Sequence, residues 1–180
     1  MPYVRGRRTQ SPTGMDERCL YLDFDGVLHP DSVYVTPKRG VHLPFDLEHA
    51  GHTLFEHARL LEELLEPYPT VRIVLSTSWV RHHGFSRTAN RLPVGLRERV
   101  VGATYHAHME RLEFDSLDRG MQVWADVLRR KPRVWLAVDD TDEGWPKDSR
   151  VNLVLTHPTY GIGHAPTRVE LVDRLKRFGR

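Results

Sequence analysis

Two aspartates stand two residues apart at the end of an apolar run, in CLYLDFDGVLHP, residues 19–30. The run over residues 20–24 reads as a strand buried on both faces, yet Asp23 and Asp25 close it and Gly26 follows. The pattern recurs: TVRIVLS (70–76) leads into Ser76-Thr77-Ser78-Trp79, and RVWLAVDD (133–140) ends in Asp139 and Asp140. Carboxylates gathered in one crevice repel one another and raise their own pKa values unless a cation compensates. An all-oxygen set partly open to water suits Mg²⁺ rather than zinc. A metal held in this way typically serves phosphoryl transfer, binding a phosphate oxygen and neutralising its charge. In that chemistry Asp23, still on the strand, can attack phosphorus and form an aspartyl-phosphate. Asp25 can protonate the leaving oxygen and then activate water. Gly26 permits a close backbone approach, and Ser76 offers a hydroxyl to the phosphate. One more cation is needed to offset the nucleophile and the phosphoryl oxygens.

Side chains on separate runs meet only if the fold lines the runs up. Residues 27–50 mix Pro, Gly and β-branched residues and predict a loop or small β-flap. TLFEHARLLEELLEPY (53–68) predicts a helix opened by a Thr53/Glu56 capping box and closed before Pro67, with Leu54, Phe55, Ala58, Leu61, Leu64 and Leu65 on its apolar face. A short polar helix is expected over 84–92 and a third strand over 99–105. RGMQVWADVLRR (119–130) predicts a helix turning Met121, Trp124, Ala125 and Leu128 to the core and stopped by Pro132. RVNLVLT (150–156) predicts a fifth strand, and residues 166–178 a closing helix. This alternation predicts an α/β fold, a Rossmann-like three-layer sandwich whose central, mostly parallel sheet has helices on both faces. Ligands in such sheets sit beyond the carboxyl ends of the strands, where the three polar ends fall.

At 180 residues, 28% charged and 39% hydrophobic, the chain has the balance of a globular protein. One domain is expected over 18–180, after a basic tail over 1–17 that reads as disordered and contains an alternative start at Met15. No apolar run approaches the roughly 20 residues of a membrane span, and the N-terminus has no apolar core of a secretory signal. Cys19 is the single cysteine and has no disulfide partner, so a reducing cytoplasm is expected. A net charge of +2 permits an anionic partner without requiring one. Nothing indicates an oligomeric state.

LDFDGVL resembles the first motif of the haloacid dehalogenase (HAD) superfamily of phosphohydrolases, a hydrophobic residue followed by Asp-x-Asp-Gly-[Thr/Val]. IVLSTSW is similar to its second motif and LAVDD to its fourth, in the right order and at strand ends. The three together also resemble a small bacterial HAD subgroup associated with RNA-repair proteins. The resemblance implies that Asp23 is the nucleophile and Asp25 the acid/base. Ser76 would bind phosphate, with Gly26 and Thr77 beside it. Mg²⁺ would sit on Asp23, the backbone carbonyl of Asp25 and Asp139, with Asp140 adjacent. The third motif calls for a Lys or Arg near the start of the helix before the fourth; Arg119 holds that place, and Lys131 lies at the helix's far end. Only about fifty residues separate Asp25 from Ser76, so the cap is at most a small flap. The expected function is a Mg²⁺-dependent phosphatase acting through an aspartyl-phosphate. Its phosphorylated substrate is a small molecule, a nucleic-acid end or a phosphoprotein, and an open site favours a large one. The alternative is a non-catalytic HAD-like module that binds a phosphorylated or nucleic-acid partner; a phosphotransferase is a variant of the first.

Other residues read more plainly. His49-x-x-His52 and His106-x-His108 come closest to zinc pairs but lack cysteine companions, and read as surface or loop histidines. His29, just beyond the Asp-x-Asp turn, is within reach of the crevice but reads as a loop histidine. Trp79 and Trp145 follow strand ends where a ring could stack on a base but read as core or rim packing, and Ser78 reads as a helix cap. THPTYGIG (156–163) resembles the Gly-containing loop that follows the subgroup's fifth strand, at the same end of the sheet.

Overall fold

The computed structural model describes residues 17–106 and 108–178. In chain order these form β1 (Arg18–Leu22), β2 (Tyr34–Thr36), β3 (Gly40–His42), α1 (Phe45–His49), α2 (Ala58–Leu65), β4 (Val71–Leu75), α3 (Ser78–His83), α4 (Phe85–Ala89), α5 (Val94–Arg97), β5 (Val100–Ala103), α6 (Arg111–Asp115), α7 (Arg119–Arg130), β6 (Val134–Asp139), β7 (Leu153–Leu155) and α8 (Ala165–Phe178). Five strands make one sheet in the order β5-β4-β1-β6-β7, and all four pairings are parallel. This is the α/β, Rossmann-like arrangement expected.

β1 lies at the centre because its side chains are apolar on both faces. Leu20 and Leu22 face a cluster that includes Leu61 and Leu65 of α2, Leu96 of α5 and Leu171 and Leu175 of α8. Cys19 and Tyr21 face the opposite cluster, with Val123 and Val127 of α7 and with Trp145. Each leucine fully buried in this way contributes roughly 1.5–3 kcal/mol. Burial pushes the Cys19 thiol up to about 12, so it stays protonated and unreactive at neutral pH. No described helix is long and apolar enough to cross a membrane.

The flap is a two-stranded hairpin, β2 against β3, with Val35 opposite Val41. Several element predictions need correction. The helix expected from Thr53 begins at Ala58. The Glu56 carboxylate does accept from the Thr53 N–H at 3.0 Å, but Phe55 adopts φ +60, a left-handed conformation that no right-handed helix can pass through. The polar helix expected over 84–92 is shorter, Phe85–Ala89, and a further helix, α3, precedes it across Gly84, whose φ is +84. The fifth strand is only three residues long, because its partner pairs solely through Ala137, Val138 and Asp139; the preceding Lys147–Asn152 coils into a 3₁₀ turn.

α7 is rotated from its predicted face. Gly120, Val123, Asp126 and Val127 are buried, while Met121 and Leu128 are exposed and Trp124 and Ala125 are half-buried. Two contacts set this. Gly120 packs on the Gly144–Trp145 backbone, where a Cβ would come within 2.4 Å of the Trp145 nitrogen. Asp126 is buried with partners: Tyr21 Oη donates to its Oδ2 at 2.9 Å, Arg130 Nε donates to the same oxygen at 2.9 Å, and Arg129 pairs with Oδ1. The tail expected over 1–17 lies outside the described residues except for Glu17, whose carbonyl accepts from Arg133 N–H at 2.9 Å.

Candidate active site

β1 is flanked by β4 and β6, so the chain leaves the central strand in opposite directions and opens a crevice at the carboxyl ends. The ladder runs one step beyond the strands. Asp23 N–H donates to Val138 O at 3.2 Å, and Ser76 N–H donates to Leu22 O at 2.8 Å. Asp23, Ser76 and Asp139 therefore sit side by side, each almost wholly buried. Asp23, Asp139 and Asp140 each bring a carboxylate oxygen to within 4.8 Å of the others. Gly26, at φ +69, lies against Asp140 so closely that a Cβ would stand 2.4 Å from its Oδ2. The turn is further tied by Thr156 Oγ1, which donates to Gly26 O at 2.6 Å.

Arg119, the first residue of α7, enters from the helix side. Its Nη2 lies 3.4 Å from Asp23 Oδ2 and its Nε 3.6 Å from Asp139 Oδ2, while Nη1 donates to Ser76 O at 2.7 Å. One cation faces three carboxylates. Burial drives the Asp23 carboxyl above its usual range; Arg119 pulls it back and Asp25 pushes it up again. Asp139 is held well above that range by burial and then by Asp23. Asp140 is raised to about 6, by burial first and then by Asp23. Burial works against the Arg119 cation, but Asp23 and Asp139 more than offset it and its pKa lies above the ordinary value. Such a site calls for further positive charge, and its all-carboxylate donor set fits a hard divalent cation of the Mg²⁺ class. Ser76 Oγ is buried without a hydrogen-bond partner, as a hydroxyl awaiting an acceptor would be.

Lys131 takes the left-handed cap position beyond α7 at φ 52 and is exposed. A twelve-residue helix is about 18 Å long, which separates Lys131 from the crevice. The Thr77 side chain is among the groups that hold the Asp23 carboxyl down, and its Oγ1 accepts from Trp79 N–H at 3.4 Å. The cap of α3 is thus Thr77, and Ser78 lies inside the helix. The 156–163 loop braces the turn from behind: Asp31 N–H donates to Pro158 O at 2.9 Å and Ile162 N–H to Val27 O at 3.0 Å.

The Asp25 carboxylate stands apart from the aspartate trio, a quarter exposed. Trp79 Nε1 donates to its Oδ1 at 2.9 Å and lies 3.1 Å from Oδ2; His29 Nε2 is 3.0 Å from Oδ1. Sequence reasoning left both partners out of the site. His29 is fully buried, and the one signal for it was its place four residues after Asp25, across a tight turn that bridges the two. Trp79 does pack in the core as expected, while its ring nitrogen reaches the crevice. Trp145 is a packing residue of the other face. Beside Asp25 lies a cavity of about 470 Å³ between Val33, Val35 and Val41 of the flap side and Trp79, His82 and His83 of α3. His52 pairs with Glu56 at 2.8 Å, and the aspartate trio is the only close group of three or more metal-ligating side chains among the described residues.

Residues 19–165 match the family model described as the HAD domain in Swiss Army Knife RNA repair proteins. No curated protein and no solved structure matches the chain.

Proposed function

The chain belongs to the family of HAD domains in Swiss Army Knife RNA repair proteins, and from that premise we propose that it is a Mg²⁺-dependent phosphatase working through an aspartyl-phosphate. The observation that carries this reading is the aspartate trio at adjacent strand ends, with Arg119 against Asp23 and Asp139. Asp23, Asp139, Asp140 and the backbone carbonyl of Asp25 would hold the ion. When bound, it supplies positive charge to the phosphoryl oxygens and lets Asp23 stay ionised. Asp23 attacks phosphorus, and the ester oxygen leaves with a proton from Asp25. Arg119 offers its guanidinium to the phosphoryl group, and Ser76 Oγ, otherwise unpartnered, donates to it. Asp25 then takes a proton from the water that releases phosphate.

The flap is one short hairpin and a single-turn helix, which supports a large phosphorylated substrate. A nucleic-acid end is the substrate class we favour over a phosphoprotein or a small molecule. The test is hydrolysis of p-nitrophenyl phosphate with Mg²⁺. Asp23→Asn is expected to abolish turnover, and activity that survives the change overturns the mechanism. A non-catalytic phosphate-binding module is the second reading, favoured by an arginine at the third-motif place that cannot shed its proton. Tight binding of a phosphorylated oligonucleotide without turnover at any divalent metal would establish it instead.

A further inference from the structure

Asp25, the proton donor of the reading above on which this inference rests, is held by a network that comes from no strand end. His29 Nδ1 lies 3.3 Å from the Phe55 backbone nitrogen. A backbone N–H can only donate, so Nδ1 must present its lone pair. The neutral ring therefore carries its proton on Nε2, which donates to Asp25 Oδ1 at 3.0 Å. Indole Nε1 of Trp79 is likewise a donor only, and it too is nearest Oδ1, at 2.9 Å. One oxygen of Asp25 is thus filled by two donors. The other, Oδ2, has only the longer Trp79 contact at 3.1 Å.

The surroundings lock this arrangement. His29 has no solvent exposure, and its ring packs edge-on to Phe55 and Trp79 with centroids 4.9 and 5.8 Å away. Phe55 holds φ +60, a conformation unfavourable for any residue with a Cβ. That strain has an identifiable result: it turns the Phe55 N–H onto His29 and its ring onto Phe24 and Trp79, at 5.2 and 5.4 Å. Strain kept at such a place points to a role beyond packing. His57 N–H, donating to Leu28 O at 2.9 Å, ties the same two segments together.

We propose that His29 is a positioning residue for Asp25, occupying Oδ1 together with Trp79 so that Oδ2 carries the transferable proton. As the bond from Asp23 to phosphorus forms and the ester P–O bond breaks, the Oδ2 proton passes to the leaving oxygen. Asp25 is left as a carboxylate already hydrogen-bonded by two donors. In the second half, Oδ2 takes the proton of the attacking water, phosphate departs, and Asp23 returns to its free carboxylate. Aid to a leaving group matters most for a poor one. Loss of His29 should therefore hurt an ester in proportion to the basicity of its leaving oxygen, which mere loss of packing would not do.

The experiment compares two esters of nearly equal size, p-nitrophenyl phosphate and phenyl phosphate, on the wild type, His29→Phe and His29→Gln. His29→Phe is expected to lower kcat/KM for the phenyl ester on the order of 100-fold and for the nitrophenyl ester only several-fold. His29→Gln, which keeps a side-chain N–H donor, is expected to recover much of the difference. Equal losses on both esters, or no loss, overturn the proposal. Nitrogen-15 spectra of the wild-type imidazoles give a readout free of turnover and of the variants' folding: His29 protonated at Nε2 supports the proposal, and protonation at Nδ1 overturns it. If the wild type hydrolyses neither ester, the phosphatase reading fails by itself, and the tautomer alone decides whether His29 serves Asp25.

Discussion

Asp139 shows how the crevice concentrates negative charge around a site that could hold a metal ion. Its carboxylate is buried beside Asp23 and Asp140, accepts from the Thr141 N–H at 3.2 Å, and shares Arg119 with Asp23. Without a metal, the three carboxylates weaken the fold more than one arginine restores; with a metal, they strengthen it by mass action. Asp139→Asn keeps the acceptor for Thr141 and removes one charge. The variant is expected to melt no lower than the wild type in chelator, and up to about 2–4 °C higher if the relief is about 1 kcal/mol. Millimolar Mg²⁺ is expected to raise the melting temperature of the wild type, and the variant is expected to lose that rise. Thermal melts with and without Mg²⁺ check both halves, and a Mg²⁺ shift of undiminished size in the variant would remove Asp139 from the ion's ligands. The acidic and hydroxyl residues were legible in the sequence because each ends an apolar run, and the parallel register then places Leu22 opposite both Leu75 and Val138. For His29 only its nearness to the crevice was legible, not its burial or its contact with Asp25. It follows a turn and looks like any loop histidine, and only the return of the 53–57 segment across it buries the ring.

Among the elements, α7 carries the most information, since it delivers Arg119 to the crevice from one end and buries Asp126 further along. The predicted face of α7 was wrong because apolar periodicity treats an aspartate as a solvent-facing residue. Here Asp126 is buried against Tyr21 Oη, Arg129 and Arg130, so the true stripe runs through Gly120, Val123, Asp126 and Val127. A buried charge in mid-helix cannot be read from spacing; it depends on a tyrosine from a distant strand. Asp126→Ala would strand the Tyr21 hydroxyl and leave Arg130 beside the core without its anion. Breaking such a pair costs about 3 kcal/mol, or roughly 6–12 °C in melting temperature for a domain of this size. If the network only holds the helix, phosphate-ester turnover well below the melting point should be nearly unchanged. A melt within 2 °C of the wild type, to be judged against the roughly 1 kcal/mol centre for ordinary substitutions, would show that the network is not what seats α7. The helix start near Thr53 failed for a related reason. Its capping residues are in place, but tertiary contacts hold Phe55 outside helical space and override the local signal.

For the molecule as a whole, alternation of strand and helix was enough to foresee the parallel sheet and the end at which its polar residues gather. What the sheet admits follows from what surrounds it. On the flap side the β2–β3 hairpin lines the cavity of about 470 Å³ beside Asp25 through Val35 and Val41, and a space of that size takes one terminal residue of a longer chain. The flap wall is built of valines, which offer apolar contact but few of the hydrogen bonds that small polar metabolites need for selection. Arg119, the phosphate ligand of the proposed mechanism, lies against Asp23 at the strand ends. On that reading the phosphoryl group and the body of the substrate are recognised separately, and the short hairpin flap leaves room for a long leaving group. A single-stranded oligonucleotide bearing a terminal phosphate is expected to show kcat/KM at least equal to that of the corresponding mononucleotide, measured as released phosphate under Mg²⁺. A mononucleotide or sugar phosphate preferred by more than about tenfold, equivalent to about 1.4 kcal/mol in the transition state, would instead mean that the flap closes over a small substrate in solution, and the assignment of a large one would have to be given up.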